Sequence, residues 1–119
     1  MHLVDSRSWV KRAGEIARNY RTNRRKLGAM RRYAKRGRPL QVDADQAIAE
    51  VEAVDKAFAA ISSDGEALAF ADLLYRKRGH PSVSGCARAL LMPIERAHQH
   101  NKAFLRLIAK HYDNKGEER

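Results

Sequence analysis

Between Trp9 and Ala34, apolar side chains recur three and four residues apart: Ala13, Ile16, Tyr20, Leu27, Met30 and Ala34, with Asn23 the one polar residue in the series. An α-helix turns once in 3.6 residues, so this spacing stacks the set along one side of a helix predicted over residues 6–36. Asp5, Ser6 and Ser8 offer capping side chains at its start, and Gly37, Arg38 and Pro39 end it. A seam of this length has to be covered, either by other helices of the same chain or by a second copy in a homodimer. Asn23 accordingly has two readings: it reaches solvent at the edge of an intramolecular contact, or it fixes the register of a paired helix.

The rest of the chain reads as shorter helices, with no run of alternating β-branched residues. A second helix begins at Asp43, with Gln46 three residues on as in a capping box. It turns Ala47, Ile48, Val51, Val54, Phe58 and Ile61 inward and leaves Glu50, Glu52, Asp55 and Lys56 on other faces. Ser62 to Gly65 breaks the run. A third helix over residues 65–78 presents Leu68, Phe70, Ala71, Leu74 and Tyr75, with Gly79 as a left-handed cap and Pro81 as a stop. Ser82 caps a short helix over residues 82–91, with Val83, Cys86, Ala87 and Leu90 inward. Leu91 and Met92 form a tight connection, and Pro93 suits the first turn of the last helix, which extends to residue 112. Its buried stripe is Ile94, Ala97, Asn101, Phe104, Ile108 and Tyr112, with Leu105 beside it. The expected fold is therefore all-α, about five helices. Residues 1–41 form a basic helix and linker, 42–112 a helical domain with a helix-turn-helix at 82–112, and 113–119 a frayed tail.

Charge narrows the function. The net +10 is distributed in blocks: residues 1–41 hold 13 Lys/Arg against 2 Asp/Glu, residues 42–75 hold 1 against 8, and residues 76–112 hold 8 against 1. Two cationic blocks separated by an acidic one suit phosphate backbones, where released counterions drive association. The only cysteine, Cys86, cannot close an intramolecular disulfide, and no apolar leader or membrane-length run is evident. A cytoplasmic protein is expected, with double-stranded DNA as its partner and no membrane.

The stretch from Val83 to Phe104 is the most informative. A short helix with the small residue Ala87 at its centre meets a longer helix across a three- or four-residue turn; a bulky residue at that position would hold the two apart. The outward side of the long helix then carries Arg96, Gln99, Lys102, Ala103 and Arg106, with His100 flanking. Arginine and glutamine can contact base edges in the major groove, and lysine and arginine can contact phosphates. Arg24, Arg25, Arg31 and Arg32 of the first helix are the candidate additional phosphate contacts.

Val83-Ser-Gly-Cys-Ala-Arg-Ala-Leu-Leu-Met92, followed by Arg96 and then Lys102-Ala-Phe-Leu-Arg-Leu-Ile108, resembles region 4 of bacterial sigma factors. The whole layout over residues 10–112 is similar to the ArpU/RinA-type phage transcriptional regulators. Those have a basic N-terminal helix, a Val-Glu-x-Val helix (here Val51-Glu-Ala-Val54) and a helix with Leu-Leu-Tyr (here Leu73-Leu-Tyr75). The resemblance implies a sequence-specific DNA-binding regulator of late or packaging genes of a phage or prophage, and RNA polymerase as a further partner. The chain departs from the pattern at three positions: Leu91 stands where the turn favours Gly, Pro93 where the recognition helix starts with Ser or Thr, and Arg96 where a later Ser or Thr touches phosphate.

Other chemistries fit less well. His98 and His100 are two residues apart and point to different faces, unlike the i, i+4 pair of a helical zinc site. His80, His111 and Cys86 do not complete a ligand set by spacing, so no metal and no cofactor is expected, and Cys86 reads as a structural thiol. Glu50 with Asp43 or Asp55 reads as a solvated acidic face, not as a catalytic pair, and there is no glycine-rich phosphate loop. An enzyme is not expected, and no catalytic residue is assigned. Two alternatives remain. One is an RNA- or ribosome-associated protein with residues 11–38 as an arginine-rich arm. The other is a mobile-element interaction or packaging adaptor whose basic surfaces meet an acidic protein.

Overall fold

The seam packs against helices of the same chain from Trp9 to Tyr20, whereas Leu27 and Met30 are half-buried and belong to neither core. The structure, a computed structural model, describes the backbone of residues 6–35, 44–77 and 82–117 and the side chains of 9–32, 44–77 and 82–112. Asp5, Asp43, Gly79, His80 and Pro81 lie outside these residues, as do the side chains of Ser6, Ser8 and Ala34 and the stop at residues 37–39. Within them the protein is all-α: α1 (Ser6–Arg18), α2 (Tyr20–Lys35), α3 (Asp45–Ala60), α4 (Gly65–Ala71), a π-helical turn (Asp72–Arg76), α5 (Val83–Ala89) and α6 (Ile94–Glu117).

The first helix is not one rod. It is interrupted at Asn19, although the backbone bonds Asn19 N to Glu15 O and Asn23 N to Asn19 O carry the 3.6-residue pattern across the break. α1 packs mainly on α6 and α2 mainly on α3. Ala13, Ile16 and Tyr20 are buried in the main core, and Asn23 donates from Nδ2 to Glu50 Oε1 at 3.1 Å. The polar position in the seam is thus satisfied inside the chain.

That core is a row of aromatic rings in a bed of alanines. Tyr20, Phe58, Phe104 and Tyr75 follow one another at centroid separations of 5.9, 4.8 and 5.5 Å, and the Arg76 guanidinium sits 3.6 Å over the Phe58 ring. Ala13, Ala17, Ala53 and Ala57 are buried around them. Small side chains let helix axes approach closely, which sets how α3 faces the core. The stripe read from sequence placed Ile48 inward and Glu50 outward. Val54 and Phe58 are buried and Val51 and Ile61 pack against the core as expected, but Glu50, Ala53 and Ala57 are buried beside them and Ile48 is exposed. The N-cap is Ala44, with no side-chain bond, and Gln46 Nε2 donates to Glu50 at 3.0 Å; Asp43, where the capping box was expected, lies outside the described residues.

A second, smaller core joins α4, α5 and α6 through Phe70, Cys86, Ala87 and Ala97. Its helices start where local chemistry says they should. Asp64 accepts from Ala67 N at 3.1 Å and Ser82 accepts from Gly85 N at 3.0 Å, each giving an orphan helix-start donor a partner. The expected α-helix over residues 65–78 widens into the π turn at Asp72, closed by Lys77 N to Asp72 O at 3.1 Å. The widening adds a residue per turn and presents Tyr75 to Phe104 and Asn101. At the other end, α6 runs to Glu117, so residues 113–117 of the expected frayed tail 113–119 are helical; one interior glycine costs a helix only about 1 kcal/mol. Ile94, expected inward, is 43% exposed, because α6 meets the second core only one turn later, at Ala97.

Candidate nucleic-acid interface

The connection between α5 and α6 is built from backbone geometry that its sequence does not favour. Leu91 has φ 54°, in the left-handed region. Its N–H donates to the Arg88 carbonyl at 3.3 Å, and the Met92 N–H donates to the Ala87 carbonyl at 2.9 Å. This pair of bonds is the Schellman arrangement, in which glycine is the usual left-handed residue because it has no Cβ to clash. The position where the resembled motif favours glycine therefore has the backbone glycine would adopt, occupied here by leucine. Pro93 stands just before α6, its carbonyl accepting from Ala97 N. The Leu91 side chain is 93% exposed and packs on nothing that offsets the strain. Leu91→Gly should therefore raise stability by about 0.5–1 kcal/mol, the left-handed penalty less the extra freedom of glycine in the unfolded chain. Urea unfolding midpoints measure it; a lower midpoint for the glycine variant would contradict the turn geometry.

From this turn, the second core holds α6 with Ala97 down and a polar face up. Gln99, Lys102, Ala103 and Arg106 are exposed on that face over two turns. The Arg106 guanidinium lies 5.9 Å from the Trp9 ring centroid, so α1 borders the face at one side. The other side is occupied by an acid: Glu66 of α4 takes Arg96 at 3.1 Å and His100 Nε2 at 2.7 Å. The His100 hydrogen bond, with the Arg96 guanidinium behind it, holds the Glu66 carboxyl below the usual carboxylate range. Arg96 and His100 are thus brought together, but through a carboxylate that a phosphate would have to displace. Sequence reading missed Glu66, and a partner 30 and 34 residues away leaves no local signal.

The cations of α2 divide. Arg31 and Arg32 are exposed. Arg24 donates to the Tyr20 hydroxyl at 3.3 Å, and Tyr20 in turn donates to Asp55. Arg25 turns toward a cleft that Asn101 of α6 also lines. Asn101 lies roughly 140–160° around α6 from Gln99 and Arg106, so Arg25 and the outer face of α6 address opposite sides of that helix.

The remaining sequence candidates have structural employment. Cys86 is buried and its thiol is pushed up by burial, the reverse of an activated nucleophile. Glu50 is buried among donors, not solvated. Among the described residues, no three His, Cys, Asp or Glu side chains are grouped to hold a metal ion, and no helix is long and apolar enough to cross a membrane. No protein-family model, curated protein or solved structure matches the chain.

Proposed function

We propose that the protein binds duplex DNA and reads its sequence with the exposed face of α6, as a transcriptional regulator. The observation that carries this reading is the face itself. Gln99, Lys102 and Arg106 stand in solvent on a helix held from behind by Phe70, Cys86, Ala87 and Ala97, and preceded by a short helix and a left-handed turn. Gln99 and Arg106 supply base-edge hydrogen-bonding groups, Lys102 a phosphate contact, and Arg31 and Arg32 further cationic contacts. The likeness of the sequence to ArpU/RinA-type regulators supplies the setting: late or packaging genes of a phage or prophage, with RNA polymerase as the machinery addressed.

The test is binding to a duplex selected from random sequence, followed across salt concentration. Gln99→Ala with Arg106→Ala should abolish the preference for the selected duplex. Lys102→Ala should weaken selected and random duplexes alike and reduce the slope of log affinity against log salt by about 0.9. Full affinity and undiminished preference in the first variant would refute the assignment of this face. A preference for structured RNA that ignores all three changes would transfer the function to the arginines of α2.

A further inference from the structure

Between α2, the π turn and the start of α5 lies a cleft of about 410 Å³. Arg18, Arg21 and Arg25 line one wall, spaced three and four residues apart so that they share one side of the helical run. No carboxylate lines the cleft, and none is within ion-pairing distance of these three among the described residues. Arg12, Arg76 and Arg96 pair with Glu50, Asp72 and Glu66, while Arg31, Arg32, Arg88 and Arg106 stand exposed on open surface and not in a cleft. Three permanently charged residues lining one concave surface without a carboxylate among its lining residues leave a positive charge that a bound anion compensates.

The opposite wall is suited to the body of a ligand. Tyr75 donates its hydroxyl to Asn101 Oδ1, which leaves the Asn101 amide N–H groups as donors, and Thr22 adds a hydroxyl from the arginine side. Leu74 and Val83 provide the apolar part. The frame is rigid: Tyr75 is buried against Phe104, and burial pushes its hydroxyl up to about 12, so it stays protonated as a donor to Asn101. Part of this wall is a π turn, an irregularity that recurs at functional positions. The volume falls in the range of small-molecule sites and exceeds what a lone phosphate fills.

We propose that this cleft binds a small phosphate monoester of about the size of a nucleoside monophosphate, with the dianion on Arg18, Arg21 and Arg25 and the organic part against Leu74 and Val83. Three uncompensated charges match a dianionic monoester better than the single charge of a backbone diester. The site is separate from the α6 face and stands whether or not that face reads DNA. Its occupant would bridge α2 to the α5–α6 pair.

Calorimetric titration of the whole chain with 5′-AMP at physiological ionic strength tests it. Saturable binding with one molecule per chain is expected, competed by inorganic phosphate and absent for adenosine. Arg21→Ala with Arg25→Ala should weaken it at least about tenfold, since each charge-assisted bond is among the stronger ones. Lys56→Ala with Lys110→Ala, which removes equal charge elsewhere, should leave it within about twofold. In the unsubstituted protein, NMR resonances of Thr22 and the Asn101 side-chain amide should shift on titration. The proposal is overturned by absence of saturable binding, by equal loss in the lysine control, by unmoved Thr22 and Asn101 resonances, or by a thymidine oligonucleotide without terminal phosphate that displaces AMP with equal affinity.

Discussion

Phe104→Ala will destabilise the protein by about 3–5 kcal/mol, the cost of emptying a fully enclosed aromatic site. Phe104 is 2% exposed and is the middle link of the ring row. It meets Phe58 edge-on at 4.8 Å and stacks on Tyr75 at 5.5 Å, so its loss removes a ring contact from both. The neighbours cannot collapse into the gap cheaply, because Tyr75 is tied to Asn101 and Phe58 lies under the Arg76 guanidinium. Domains of this size have about 5–15 kcal/mol in total, so the variant should unfold at a much lower urea concentration and lose much of its helix at physiological temperature. Phe104→Leu, which keeps most of the volume, should cost under about half as much. A loss below about 1 kcal/mol for the alanine variant would mean that the rings are not packed as a unit.

The second large effect is expected at Glu50. Its carboxylate is 6% exposed and accepts from three donors: Arg12 at 3.1 Å, Asn23 at 3.1 Å and Gln46 at 3.0 Å. The three come from α1, α2 and α3, so one side chain joins the helical elements that flank the Asn19 interruption to the third. Glu50→Ala leaves Asn23 half-buried without its acceptor, while Arg12, with its side chain 43% exposed, can return to water and keep its bond to Tyr112. The net loss should be about 2–3 kcal/mol, below that of a wholly buried ion pair because one partner rehydrates. Denaturant unfolding of Glu50→Ala, Asn23→Ala and the double variant measures the coupling. Strict additivity of the two single losses would show that the bond contributes nothing of its own.

These two residues mark the boundary of what could be read locally. The cap at Ser82, the break at Ser62 to Gly65 before α4, the apolar seam through Ala13, Ile16 and Tyr20, and the small residue Ala87 between α5 and α6 were all legible. Each depends on residues within about four positions of one another or on a side chain too small to obstruct. The outward placement of Gln99, Lys102 and Arg106 follows from the same periodicity. The seam by itself left open what would cover it, because an apolar stripe specifies a partner surface and not its owner. The rotation of α3 was not legible either: Ile48 and Glu50 exchange the roles their hydropathy suggests, since the face that packs is the one where Ala53 and Ala57 allow close approach. The triad Arg18, Arg21 and Arg25 had a readable spacing, but only the placement of Leu74, Val83 and Asn101 opposite turns a charged stripe into a cleft.

The amino-acid order alone determined that the chain is helical, where several helices begin, and which side of the last one faces water, because capping and periodicity are interactions along one short stretch. Tertiary structure alone decided that Arg12 and Asn23 reach Glu50, that Glu66 takes Arg96 and His100, and that Leu91 accepts a left-handed turn. Those outcomes depend on groups about 30 residues apart, or on a connection that two packed helices impose on the residue between them, and no local preference encodes either.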